Sequence, residues 1–130
     1  MENVEKFDVS VILPIKTNKT LNFEDYFVKC IESLKIQKLP VNELVIVYGN
    51  DTTLVDYLNS YDFGDINVKL LEWTGEPNYA AQVNHGVNSS ESTWVSLYEF
   101  DDEYSTIWFN NVKKYSEAYP NVDAFLPNRC

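Results

Sequence analysis

The sequence predicts an α/β fold, a mostly parallel sheet with helices on both faces. Three observations carry the prediction. Short β-rich apolar runs alternate with segments whose apolar residues recur at helical spacing. Most of the changes of period are marked by Pro, by Gly or by a cluster of Asn, Asp and Ser. The 130 residues, 45% hydrophobic and 15% aromatic, amount to one domain with a real core rather than a disordered chain.

Each element has its own reason. Asp8-Val9-Ser10-Val11-Ile12-Leu13 reads as a buried first strand stopped by Pro14, with a polar loop from Ile15 to Thr20. Asn22 is placed to cap a helix, with Glu24 and Asp25 favourable in its first turn. Phe23, Phe27, Cys30 and Leu34 then make one helical face, and Pro40 ends the region. Glu43 to Tyr48 is a second buried strand, closed by Gly49-Asn50-Asp51. Thr53 to Asn59 is a short helix, followed by a turn over Asp62-Phe63-Gly64-Asp65 and a third strand from Ile66 to Trp73. Asn78 caps a helix carrying Tyr79, Val83 and Val87, which Asn88-Ser89-Ser90 breaks. Trp94 to Tyr98 is a fourth strand. Trp108, Val112, Tyr115 and Tyr119 give a last helix with an apolar, core-facing stripe, stopped by Pro120, and Val122 to Leu126 a fifth strand.

Charge narrows the function classes. Ten basic against twenty acidic side chains leave −10 at pH 7, which repels phosphate backbones and anionic lipid. Nucleic acid and membrane surfaces are therefore not expected partners. No run approaches the ~18 apolar residues of a membrane span, and the mixed, acidic start is not a signal pattern. Cys30 and Cys130 stand far apart, so a reducing, cytoplasmic setting is expected. There is no Gly-rich dinucleotide or P-loop motif, no zinc-spaced Cys/His set and no nucleophile elbow.

The strongest chemical signal is Glu99, Asp101, Asp102 and Glu103, at the carboxyl end of the fourth strand, where open α/β sheets bind ligands. Crowded carboxylates suit a hard divalent cation, or else a solvated loop that opens the next helix. His85, the sole histidine, is either a base or a surface helix residue. For Trp73, at a strand end, the choice between core and sugar platform is more open than for the aromatics of the last helix.

Several segments together resemble the family 2 glycosyltransferases of GT-A fold. Val9-Ser10-Val11-Ile12-Leu13-Pro14 is similar to their opening strand, and Cys30-Ile31-Glu32-Ser33-Leu34 with Gln37 to their CLxSLxxQ helix. Glu43-Leu44-Val45-Ile46-Val47 is similar to their second strand, and Gly75 with Asn84-His85-Gly86-Val87 to their G…RNxGI segment. Trp94 to Asp102 falls where they carry yiafLDxDD, and Val122 to Leu126 resembles the strand that follows.

The resemblance implies a Rossmann-like nucleotide-binding half and inverting transfer of a sugar from a nucleotide-diphosphate donor. It implies Mn or Mg held by Glu99 and Asp101, with Asp102 at the third acidic position as a substrate contact. It implies further donor contacts at Pro14, Ile15, Tyr48, Asp51 and Asn84. Residues 1–130 then form a single domain that stops before the acceptor-binding half, and the catalytic base belongs to that later part. The sequence departs from the family pattern in three places. Tyr48 and Gly49 stand where two aspartates usually end the second strand, and Val83 stands for the arginine of the RN pair. Ile15-Lys16-Thr17 follows Pro14 in place of Thr-Tyr-Asn, with Gln82, His85 and Lys16 as nearby polar groups. Tyr48, Gly49 and Val83 are what a non-catalytic module of the same fold, one that has lost donor binding, would carry. A phosphatase or receiver domain is disfavoured, because no carboxylate ends the first strand.

Overall fold

The computed structural model describes residues 5–16, 21–49, 51–75, 78–98, 108–122 and 124. Among these residues eight elements follow one another: β1 (Phe7–Ile15), α1 (Phe23–Lys35), β2 (Val41–Gly49), α2 (Thr52–Ser60), β3 (Val68–Trp73), α3 (Tyr79–Ser89), β4 (Trp94–Leu97) and α4 (Trp108–Ala118). The four strands form one sheet in the order β3-β2-β1-β4, and every pairing is parallel. Strands are laid down outward from β1 to β3. The chain then returns through α3 to add β4 on the other side of β1, so the winding reverses between β1 and β4.

Alternate residues of each strand feed two cores. Val9, Val11, Leu13 and Ile15 of β1 join Leu44 and Ile46 of β2 in the larger one, with Phe23, Phe27 and Leu34 of α1, Leu54 and Leu58 of α2, and Phe109 and Val112 of α4. Phe27 is fully buried, and Tyr57, Tyr61 and Phe63 meet it edge-on at 5.1–6.3 Å between ring centres. Burying such a ring contributes about 1.5–3 kcal/mol. Burial is the first cause of the Tyr61 hydroxyl's upward push to about 12, with Glu32 adding to it. The smaller core, on the opposite face, joins Ile12, Val45 and Val47 to Leu71, Trp73 and Val87.

Four expectations are corrected. Pro14 does not stop the first strand, which continues to Ile15. Ile12 turns its carbonyl toward β4, where the Tyr98 N–H meets it at 2.9 Å. Pro14, two residues on, faces the same side but lies beyond the last β4 residue, Leu97, so its missing N–H breaks no ladder bond there. Asn22 precedes α1 but makes no side-chain cap; it sits at φ 60°, a left-handed conformation that asparagine tolerates. On α4 the buried residues are Phe109 and Val112, whereas Tyr115 and Tyr119 are exposed. The helix is rotated because Phe109 inserts beside Phe7, with ring centres 6.1 Å apart. Val122 and Ala124 are not in a strand, and the rest of the expected fifth strand lies outside the described residues. Among the described residues no helix is long and apolar enough to cross a membrane.

Candidate functional site at the carboxyl ends of the strands

Register brings three strand ends level. Ile15 lies opposite Tyr48, Tyr48 opposite Glu72, and Gly49 opposite Trp73. Pro14 is level with Val47. In open α/β sheets, ligands bind at this edge, where the winding reverses. Here that point lies between β1 and β4.

Gly49 is demanded by the backbone. A Cβ there would sit 2.6 Å from the carbonyl oxygen of Lys16, so the chain after β1 crosses too close for any side chain. Tyr48 is half-buried and packs against the larger core. Asp51 caps α2: its carboxylate accepts from the Thr53 N–H at 3.1 Å and the Thr53 hydroxyl at 2.8 Å. That cap holds the carboxylate in one orientation beside the end of β2.

On α3, Asn78 caps the first turn by accepting from the Ala81 N–H. Gln82 is buried, and its Nε2 donates to the carbonyls of Ile15 at 3.3 Å and Val47 at 3.1 Å. It ties the ends of β1 and β2 together from within. Val83 belongs to the buried face of α3, so an arginine there would have to bury its charge. Asn84 is exposed, off the buried positions Gln82, Val83 and Gly86. His85 is half-buried against the indole of Trp73, ring centres 5.4 Å apart. Trp73 is itself half-buried and packs against the smaller core, and a Cβ at Gly75 would lie 2.7 Å from its ring. Lys16 is exposed.

The acidic group Glu99, Asp101, Asp102 and Glu103 lies outside the described residues. The described chain reaches it from Tyr98, which is buried and bonded to β1 beyond the end of β4. Among the described residues no group of three or more His, Cys, Asp or Glu is placed to hold a metal.

At the other end of the sheet stands a polar group that sequence reasoning passed over. Glu43, 2% exposed, accepts from the Ser10 hydroxyl and from the Glu91 N–H at 2.7 Å, and Lys69 lies 3.5 Å from its other oxygen. Burial pushes its carboxyl up, but these donors outweigh burial and hold it below the ordinary value. Ser92 joins the group through Ser10 and Asn42, and Lys69 also donates to the last turn of α3 at the Ser89 carbonyl, 2.7 Å. The group pins the α3–β4 connection. A signal was present: Ser10 and Glu43 are polar residues at core-facing positions of apolar runs.

Among solved structures, the fold is similar to S. aureus TarS 1-349, with a TM-score of 0.64 at 20% identity over 94% of this chain and 39% of that one. It is equally similar to TarS 1-349 in complex with UDP, at 21% identity over 88% of this chain and 33% of that one. For the complex with UDP-GlcNAc the TM-score is again 0.64, at 21% identity over 88% and 32%. The chain thus spans about a third of the length of these proteins. No curated protein matches its sequence. The family model for glycosyl transferase family 2 matches residues 10–129, nearly the whole chain. With that match on an all-parallel sheet of the same fold as TarS, the chain belongs to glycosyl transferase family 2.

Proposed function

We propose that this chain is the donor-binding part of a glycosyltransferase, one that moves a sugar from a nucleotide-diphosphate donor to an acceptor hydroxyl with inversion. The observation that carries the reading is the family match over residues 10–129. Two further points support it: TarS, of the same fold, is known in complexes with UDP and UDP-GlcNAc, and the ends of β1 and β2 are level at the edge where such sheets bind ligands. In this reading the nucleotide lies along Pro14, Ile15, Tyr48 and Asp51. The pre-oriented Asp51 carboxylate suits a base or ribose donor. Asn84 and Asp102 serve the diphosphate or sugar.

Glu99 and Asp101 would hold Mn or Mg. Carboxylate oxygens fit such hard cations, and the segment follows β4 at the edge where the winding reverses. The cation, when bound, neutralises the diphosphate leaving group. Residues 1–130 form one domain, and the acceptor site and base belong to a further part of the protein. A second reading has an observation behind it: Gly49 leaves no room for an acidic side chain, and Val83 is buried where the family has arginine. A non-catalytic module would carry such changes.

Calorimetric titration with UDP separates the readings. UDP binds the parent at least about tenfold more tightly with Mn than in EDTA, and Asp101→Ala removes that gain. Equal Mn gain in Asp101→Ala sinks the metal assignment, and no UDP binding under either condition favours the non-catalytic module.

A further inference from the structure

Gln82 carries a long amide on the buried face of α3, and burying such a group is unfavourable unless it is bonded. Its place on the helix explains how it is satisfied. Gly86 follows four residues later, on the same side of α3. A Cβ at Gly86 would meet the Ile12 Cγ2 at 2.7 Å and the Val47 Cγ2 at 3.0 Å, so the helix lies close against β1 and β2 there. One turn earlier, Gln82 reaches over the strand ends. The two hydrogens of its Nε2 go to the carbonyls of Ile15, at 3.3 Å, and Val47, at 3.1 Å. Both carbonyls stand where the chain leaves the sheet. The segment after Ile15 passes over Gly49, whose missing Cβ makes room for the Lys16 carbonyl. The segment after Val47 runs through Tyr48 and Gly49, and the Asp51 N–H donates back to the Gly49 carbonyl at 2.9 Å. One amide therefore sets how far apart the two segments start.

We propose that Gln82 is a positioning residue for the nucleotide: by holding the Ile15 and Val47 carbonyls it fixes the spacing between Pro14 and Ile15 on one side and Tyr48 and Asp51 on the other. The inference rests on the donor reading above. Its physical basis is preorganisation. Two segments held together at their roots lose less freedom when a base and ribose settle along them. Val83, the next residue, is buried and brings no charge to the donor. This turn of α3 then serves the nucleotide through the backbone it braces.

The test titrates UDP, in Mn and in EDTA, into the parent, Gln82→Met, Gln82→Asn and Val87→Ala, with thermal unfolding of each. Methionine keeps the length of the side chain and donates nothing. Gln82→Met is therefore expected to bind UDP about tenfold more weakly in both buffers, leaving the gain from Mn unchanged. Val87→Ala loosens the smaller core under the same helix and serves as the control. It is expected to lower the unfolding temperature and to bind UDP as the parent does. Should Gln82→Met fail to fold, Gln82→Asn keeps the amide one methylene short of the two carbonyls, and is expected to show the same loss. Parental affinity in the Gln82 variants overturns the positioning role and leaves the donor reading standing. An equal loss in Val87→Ala overturns it as well, since loosened packing of α3 then suffices. A loss confined to Mn also overturns it, because the effect then belongs to the cation. A parent that binds no UDP in either buffer overturns the donor reading, and the positioning role falls with it.

Discussion

Glu43 is a buried carboxylate at the foot of the sheet, and its worth depends on pH. Glu43→Ala would leave the buried Ser10 hydroxyl with Ser92 in place of its carboxylate partner, and the Glu91 N–H without its acceptor. The expected cost at pH 7 is about 2–3 kcal/mol, read from urea unfolding. Because the folded carboxyl is held below the ordinary 4.5, the stabilisation is fully present above that value. It fades as pH falls through the lowered folded value. The stability gap between the parent and Glu43→Gln should therefore be constant near neutrality and narrow below about pH 4.5. A gap that widens on acidification would reverse the assignment. Residue roles of this kind were only partly legible. Asn78 announces itself as a cap by type and place, and its side chain accepts from the Ala81 N–H. Gln82 looks like a ligand contact in sequence, and only the fold shows that its amide is committed to the Ile15 and Val47 carbonyls.

At the scale of elements, α3 is held to the sheet by closeness. A Cβ at Gly86 would sit 2.7 Å from the Ile12 Cγ2 and 3.0 Å from the Val47 Cγ2, both β-branched side chains in a closed core. Gly86→Ala should thus destabilise the protein by about 1–2 kcal/mol, although alanine gains up to about 1 kcal/mol in an open helix. Urea unfolding decides the sign, and a stabilised variant would mean that α3 can lift without loss. The strands and first three helices were legible because hydrophobic period and turn residues agreed along most of the chain. The misreadings had local causes. Pro14 reads as a stop unless the neighbouring strand is known to end before it. The stripe on α4 reads as Trp108, Val112, Tyr115 and Tyr119, but Phe109 competes for the same core and wins through its contact with Phe7.

For the whole molecule, the proposed role implies a division of labour between this chain and a part beyond it. Donor hydrolysis by water should be detectable with Mn, whereas transfer to an acceptor hydroxyl should not, because general-base help is typically worth about 10²–10⁴-fold and the base lies elsewhere. Parallel assays of hydrolysis and transfer on the purified chain check this, and efficient turnover with a defined acceptor would show that the chain holds its own base. The parallel sheet was legible at this scale, but its order was not. Near-continuous apolar runs mark β1 and β2 as interior. Nothing local says on which side of β1 the fourth strand is added. That order has a consequence during synthesis. β1 and β2 are both complete once Gly49 has been made, but the other side of β1 waits for Leu97. At about 5–20 residues per second, a ribosome takes roughly 2–10 s to cover that interval. Throughout it, Ser10 and Ile12, whose backbone groups turn away from β2, present an open strand edge to every other nascent chain nearby.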